Sequence, residues 1–402
     1  MKTRRSATDS AAAIQDDDAA LQVLMQLLPI PGRSGHEGAV MKFIADRLRK
    51  AGASAKSLSH DTAHRRSSLK GEIGNLVLKL PGRAGEPRRM LSAHVDTVPI
   101  CVDCQPVRRA RRIVTLGRKT GLGADDRAGA AVVLLTAEAL LRQRLPHPPL
   151  TFLWTVQEEV GLHGARYVQL SKLGRPELAF NFDGSTPTRL TIGATGGYRM
   201  RITVHGRASH AGNAPAEGVS AIAIASLAIG DLVESGWHGE IIKGRRRGTS
   251  NVGVFHGGEA TNVVTDRVVI RAEARSHEAP FRRRIVAEIR RAFERAAKRV
   301  RSTDGETGSV EFEGQLDYEA FRLPLDNPSV VAATQALHAL EIDPDYAISN
   351  GGLDANWLTA HGIPAVTLGC GQRAIHTVEE ELDIPDFQLA RRIAMQLATG
   401  IV

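Results

Sequence analysis

Several apolar runs in this chain end on acidic or imidazole side chains, and that recurrence constrains the fold more than any other feature. Leu150 to Val156 reads as an apolar strand that ends at Glu158-Glu159, and Leu178 to Phe182 reads as another that ends at Asp183. Met90 to His94 is a third, with the histidine at its end. Strands this apolar are buried on both faces, as in a mostly parallel sheet. In an open α/β sheet the carboxyl ends of the strands are where sites are built.

Helical and strand patterns alternate around these runs. Ser34-Gly-His-Glu37 has the capping-box pattern and predicts a helix start, with Val40, Phe43, Ile44 and Leu48 on its apolar face. Asn75 to Leu80 reads as a strand, and Ala128 to Leu141 as a buried helix. From residue 195 to 312 the chain has its own alternation, which predicts a smaller α+β domain with two helices on a four-stranded antiparallel sheet. After Asn327 the α/β pattern returns. The expected architecture is α/β: a catalytic domain of residues 19–194 and 313–402, with a mixed, mostly parallel sheet, interrupted by an inserted lid or dimerisation domain. Gly193, Gly196 and Gly197 are the expected hinge.

Composition narrows the class. The 402 residues carry 24% charged and 42% hydrophobic side chains, ordinary for a soluble globular protein. No apolar run reaches the ~18 residues of a membrane helix. Residues 1–18 are polar and read as a frayed tail, without the apolar core of a secretory signal, so a cytoplasmic protein is expected. The net charge of +8 comes largely from arginines between Arg108 and Arg118 and between Arg282 and Arg301. In the second block Phe281, Ile285, Ile289 and Phe293 recur at helical spacing, which makes the arginines a solvated face. No nucleic-acid motif accompanies them, and no nucleic-acid partner is expected. Of the three cysteines, Cys101 and Cys104 have C-x-x-C spacing. Without a second such pair they read as loop thiols or a labile disulfide, not a structural zinc site.

Five short stretches hold residues that bind metal well: His94 with Asp96, Asp125-Asp126, Glu158-Glu159, Asp183, and His376. Each has a bland reading alone. Asp125 or Asp126 suits a helix N-cap, Asp183 a turn before glycine, and His376 the surface. Glu158-Glu159 is harder to dismiss, because adjacent glutamates after an apolar strand repel unless a cation intervenes. Two histidines and three carboxylates are the inventory for a pair of zinc ions, and a spare glutamate is what metal-assisted hydrolysis needs in addition.

Together these stretches resemble the di-zinc peptidase and deacylase family that includes peptidase T, glutamate carboxypeptidase, carnosinase-type dipeptidases and succinyl-diaminopimelate desuccinylase. The resemblance runs from about residue 20 to the C-terminus and is strongest to the peptidase T branch. Ala208-Ser-His210-Ala-Gly, Thr261-Asn262-Val-Val-Thr-Asp, Glu273-Ala-Arg275 and Asn350-Gly-Gly352-Leu-Asp-Ala-Asn356 carry it further.

The resemblance implies that His94 and Asp183 hold one zinc, Glu159 and His376 the other, and Asp125 bridges them, with a cis bond to Asp126. It implies Glu158 as general base, Asp96 as the residue orienting His94, and His210 as oxyanion donor, often reaching across a homodimer. Asn262, Arg275 and Gly352 would line the site for a short peptide substrate. Aspartate at position 183 is the peptidase choice, where deacylases usually carry glutamate. Arg127 departs from the usual lysine, and the loop from Cys101 to Arg118 is unusually rich in arginine and cysteine. The expected activity is that of a zinc-dependent tripeptide aminopeptidase. An N-acyl amino acid deacylase and a non-catalytic metal-binding or basic-face scaffold are the alternatives.

Overall fold

The computed structural model describes residues 16–400. The described chain forms two compact units, and the second, Ala194–Phe321, interrupts the first.

The first unit is organised by a nine-stranded mixed sheet. Its four central strands are Leu150–Thr155, Arg89–His94, Leu178–Phe182 and Ala365–Leu368, side by side and parallel. Leu150–Thr155 and Leu178–Phe182 are buried at every position, which is why they read as continuous apolar runs. Register lines up their carboxyl ends: His94 lies opposite Thr155, and Phe182 opposite Leu368. The strand-end residues therefore emerge along one edge. Helix Ala124–Gln143 lies against this sheet, buried from Ala124 to Leu140. Its approach requires Gly129, where a Cβ would sit 1.9 Å from the Phe182 carbonyl oxygen. Glu138, fully buried on the same helix, is held by Arg47 at 2.8 Å.

Two local expectations fail. Residues 1–15 of the expected tail lie outside the described residues, but Asp17–Leu27 is a helix, with Asp16 accepting from the Asp18 N–H at 3.1 Å. The capping box at Ser34–Glu37 does not form either. Helix Gly38–Lys50 starts without a side-chain cap. The Ser34 hydroxyl instead donates to Asp96 at 2.7 Å.

The second unit is a five-stranded antiparallel sheet in the order Gly239–Lys243, Arg246–Gly257, Arg267–Ser276, Gly196–His205, Ser309–Tyr318. The expectation of four strands missed the edge strand Gly239–Lys243. The boundary at 312 falls inside the last strand, and the unit continues to Phe321. Helices Ala221–Glu234 and Ala279–Arg299 pack on the sheet around one hydrophobic core. Phe281, Ile285, Ile289 and Phe293 are buried there as the periodicity predicts. Arg283, Arg284, Arg290, Arg291 and Arg295 are exposed, whereas Arg282 is buried on Glu319 at 2.8 Å. Gly196 and Gly197 belong to a strand, where a side chain on Gly196 would collide with Arg282. Among the described residues, no helix is long and apolar enough to cross a membrane.

Candidate metal centre

The sheet edge delivers the first donors. His94 is the last residue of its strand, and Asp183 follows directly on Phe182. Glu158 and Glu159 stand in the turn after Leu150–Thr155, which Gln157 enters with a φ of +56°. Asp125 and Asp126 open helix Ala124–Gln143 with non-helical torsions and a cis peptide bond between them. His376 sits between the strands Gln372–Arg373 and Glu381–Asp383, at a φ of +63°.

These side chains converge on Asp125. Its Oδ1 lies 3.2 Å from His94 Nε2, and its Oδ2 lies 3.1 Å from His376 Nε2. Each imidazole has a further carboxylate of its own. Asp183 Oδ1 is 3.8 Å from His94 Nε2, and Glu159 Oε1 is 2.9 Å from His376 Nε2. One potential ligand atom each from His94, Asp125 and Glu159 falls within a 4.8 Å span, and so does one each from His94, Asp126 and Asp183. Asp126 is otherwise engaged, since its oxygens accept from the backbone N–H groups of His94 at 3.2 Å and Gly129 at 3.1 Å.

Other side chains hold this set in place. The main-chain carbonyl oxygen of Asp96 lies 3.1 Å from His94 Nδ1, and its fully buried carboxylate, 3.5 Å from the same nitrogen, accepts from Ser34, Glu158 N–H at 3.0 Å and Glu159 N–H at 3.2 Å. Gln372 donates to Asp125 Oδ1 at 3.2 Å. Glu37 accepts from the N–H groups of Gly35 and Gln157, and burial first, then Asp96, raises its pKa to about 8. Ser34, Glu37 and Gln372 carried no functional signal in the sequence. Each works through contacts distant in the chain.

Electrostatics supplies the test of fit. Burial is the main force raising the carboxyls of Asp126, Glu158 and Asp183 well above their usual range, with Asp183 adding to it at Asp126 and Glu158 and Asp125 at Asp183. Hydrogen bonding to Asp125 and then Glu159 pushes the His376 imidazole up to about 10. Carboxyls crowded this way either keep their protons or ionise beside a cation. The donor set, imidazole nitrogens and carboxylate oxygens, suits divalent metal. The residues present therefore fit metal, and they line a cavity of about 410 Å³ that also includes Ser349, Gly351 and Gly352.

The remaining candidates lie in the second unit. His210 is exposed, in a short strand paired with Val263–Val264. Its Nδ1 accepts from Gly212 N–H at 3.1 Å and Asn213 N–H at 3.0 Å, which puts the neutral ring's proton on Nε2. Asn262 is adjacent, its carbonyl accepting from Ala211 N–H at 2.9 Å. Arg275 forms a two-point pair with Glu273, at 2.9 and 3.0 Å. The stretch from Cys101 to Arg118 includes a hairpin, Pro106–Arg109 with Arg112–Thr115, that joins strand Glu381–Asp383. Cys101 and Cys104 are free and buried, not loop-exposed, and burial holds both thiols protonated.

The chain matches the family model "Peptidase family M20/M25/M40" over residues 90–399. It is 31% identical over 368 residues to YqjE, an uncharacterised protein of Bacillus subtilis, covering 91% of this chain and 94% of that one. A tripeptidase from Staphylococcus aureus superposes with a TM-score of 0.86 at 28% identity, covering 96% of this chain and 98% of the other. The aminopeptidase PepT from Bacillus cereus superposes at 0.82 with 28% identity, over 97% and 99% of the two chains. With a carboxylate–imidazole cluster of metal-binding character at its sheet edge, this chain belongs to peptidase family M20/M25/M40 and is a metallopeptidase.

Proposed function

We propose that the chain is a zinc-dependent tripeptide aminopeptidase that binds two zinc ions per subunit. The observation that carries this reading is the posture of Asp125, whose two oxygens face two different imidazoles, each with its own second carboxylate. A carboxylate so placed could be shared by two ions, with His94 and Asp183 holding one and Glu159 and His376 the other. The likeness in sequence and fold to a tripeptidase and an aminopeptidase supports the choice of substrate.

When bound, such ions supply Lewis acidity, for activating water and polarising the scissile carbonyl. Glu158 is the general base: it takes the proton of the attacking water and returns it to the leaving amine. In the metal-free site burial, reinforced by Asp183, Glu159 and Asp354 against the pull of His94, raises its pKa, and the positive charge of bound metal would lower it again. Asp96 orients His94 through Nδ1 and keeps Nε2 free for metal. His210 donates through Nε2 to the developing oxyanion. Asn262, Arg275 and Gly352 bind the peptide. We assign the protein to the cytoplasm, where three unpaired thiols stay reduced, and infer a homodimer formed through the second unit.

A substrate panel tests the activity. Zinc-loaded protein should release the N-terminal residue from tripeptides and leave N-acetyl and N-succinyl amino acids intact. Hydrolysis of the acylated amino acids alone would replace the aminopeptidase with a deacylase.

A further inference from the structure

Glu380 stands in a run of three glutamates that the sequence presents as uniformly charged surface. The three side chains part company in the fold. Glu379 pairs with Arg118, and Glu381 with Arg112 at 2.9 Å. Glu380 turns inward and is 1% exposed. Its Oε2 accepts from the backbone N–H of Leu122 at 2.7 Å and of Gly123 at 2.8 Å, and its Oε1 from that of Asp125 at 3.0 Å. The Cys101 thiol donates to Oε2 at 3.6 Å.

These contacts grip the turn that leads into the Asp125–Asp126 pair. Gly123 holds a φ of +71° there, a conformation that favours glycine. A Cβ on Gly121 would sit 2.8 Å from the Cys101 sulfur and 3.1 Å from Glu380 Oε2, so the clamp is closely packed. The N–H groups of Leu122, Gly123 and Asp125 precede or open helix Ala124–Gln143, where no carbonyl of the preceding helical turn exists to receive them, and Glu380 accepts from all three. A negative charge at that end also complements the helix dipole. The clamp belongs to the same short segment as His376, four residues earlier. One segment thus contacts both the side chain of Asp125, through His376, and its backbone, through Glu380.

We propose that Glu380 is a positioning residue for the metal centre: it holds the Leu122–Asp125 turn so that the Asp125 carboxylate faces His94 and His376 at once. The inference rests on the reading of Asp125 as the bridging ligand. Glu380 touches neither metal nor substrate. Its effect is on the affinity for the pair of ions and on turnover, beyond any contribution to folding.

The test compares the full-length protein with Glu380→Gln and Glu380→Asp. The first replaces one acceptor oxygen by a donor, and the second keeps the charge but withdraws it by one methylene. Glu379→Gln and Glu381→Gln are controls. Metal-free protein is titrated with zinc against a competing chelator, kcat and KM are measured on a tripeptide, and folding is followed by circular dichroism. The Glu380 variants should bind zinc about 10–100-fold more weakly, with kcat reduced more than KM is changed and partly recovered by excess zinc. The controls should match the wild type. Should Glu380→Gln not fold, the aspartate variant decides. A folded Glu380 variant with wild-type zinc affinity and wild-type kcat overturns the proposal, whatever its melting temperature. If the wild type takes up two ions and Asp125→Ala loses them while the Glu380 variants keep them, only the role of Glu380 fails. A wild type that takes up no zinc overturns the metal reading as well.

Discussion

Asp96 accepts the backbone N–H of Glu158 at 3.0 Å, so the carboxylate beside the His94 imidazole also holds the turn that presents the two glutamates. One buried side chain thereby couples a strand end, a turn and the N-terminal loop through Ser34. Replacing Asp96 by Ala should weaken zinc binding about 10–100-fold and lower kcat in step. Ser34→Ala removes one hydrogen bond to a charged group, worth about 1.5–3 kcal/mol, and should give the smaller loss of the two. Isothermal titration of the metal-free variants with zinc checks the ranking.

Glu158→Gln separates proton transfer from metal binding. The side chains that face the Asp125 carboxylate are the imidazoles of His94 and His376, so the Glu158 amide variant should keep its metal. Its kcat should fall by about 10²–10⁴-fold. Metal analysis alongside steady-state kinetics measures both. Unchanged turnover in the metal-replete variant would remove Glu158 from the role of base.

Arg127 is a buried cation that donates to the carbonyls of Leu27 at 3.3 Å and Gly32 at 3.5 Å, close to Asp96 and Glu37. Burial lowers its pKa to about 10, still charged at neutral pH. Arg127→Met should destabilise the protein by about 3 kcal/mol, because it leaves buried carboxylates without their counter-charge. Arg127→Lys keeps the charge and should cost less. Urea denaturation compares the three proteins.

Removing metal should make stability fall as pH rises. The Asp126, Glu158 and Asp183 carboxyls have folded-state pKa values above those of the unfolded chain. They stay protonated in the metal-free fold at a pH where the unfolded chain has already ionised them, so unfolding releases protons and is favoured by higher pH. His376, raised to about 10, acts in the same direction, since its contribution is lost as pH climbs through that value. Melting of chelator-treated protein between about pH 5 and pH 8 should show a falling Tm. Zinc should raise Tm, and more so at the alkaline end.

The strand ends were legible because strands buried on both faces must be apolar throughout, which left His94, Glu158, Glu159 and Asp183 conspicuous at their ends. Ser34 and Glu37 misled because a capping box is a local pattern. The hydroxyl instead found Asp96, 62 residues away, a partner that only the fold supplies. Glu380 was hidden inside an acidic run. Which of three glutamates faces inward is set by the pairing of strand Glu381–Asp383 with Arg112–Thr115, not by composition. The edge strand Gly239–Lys243 escaped for a similar reason: exposed at most positions and paired on one side only, it carries no apolar alternation.

X-ray absorption spectroscopy of the zinc-loaded protein tests the bridging role of Asp125 most directly. The account predicts two ions per chain, a first shell of nitrogen and oxygen, and zinc–zinc scattering at about 3.5–4 Å. A single ion per chain, or two with no mutual scattering at that distance, would contradict it.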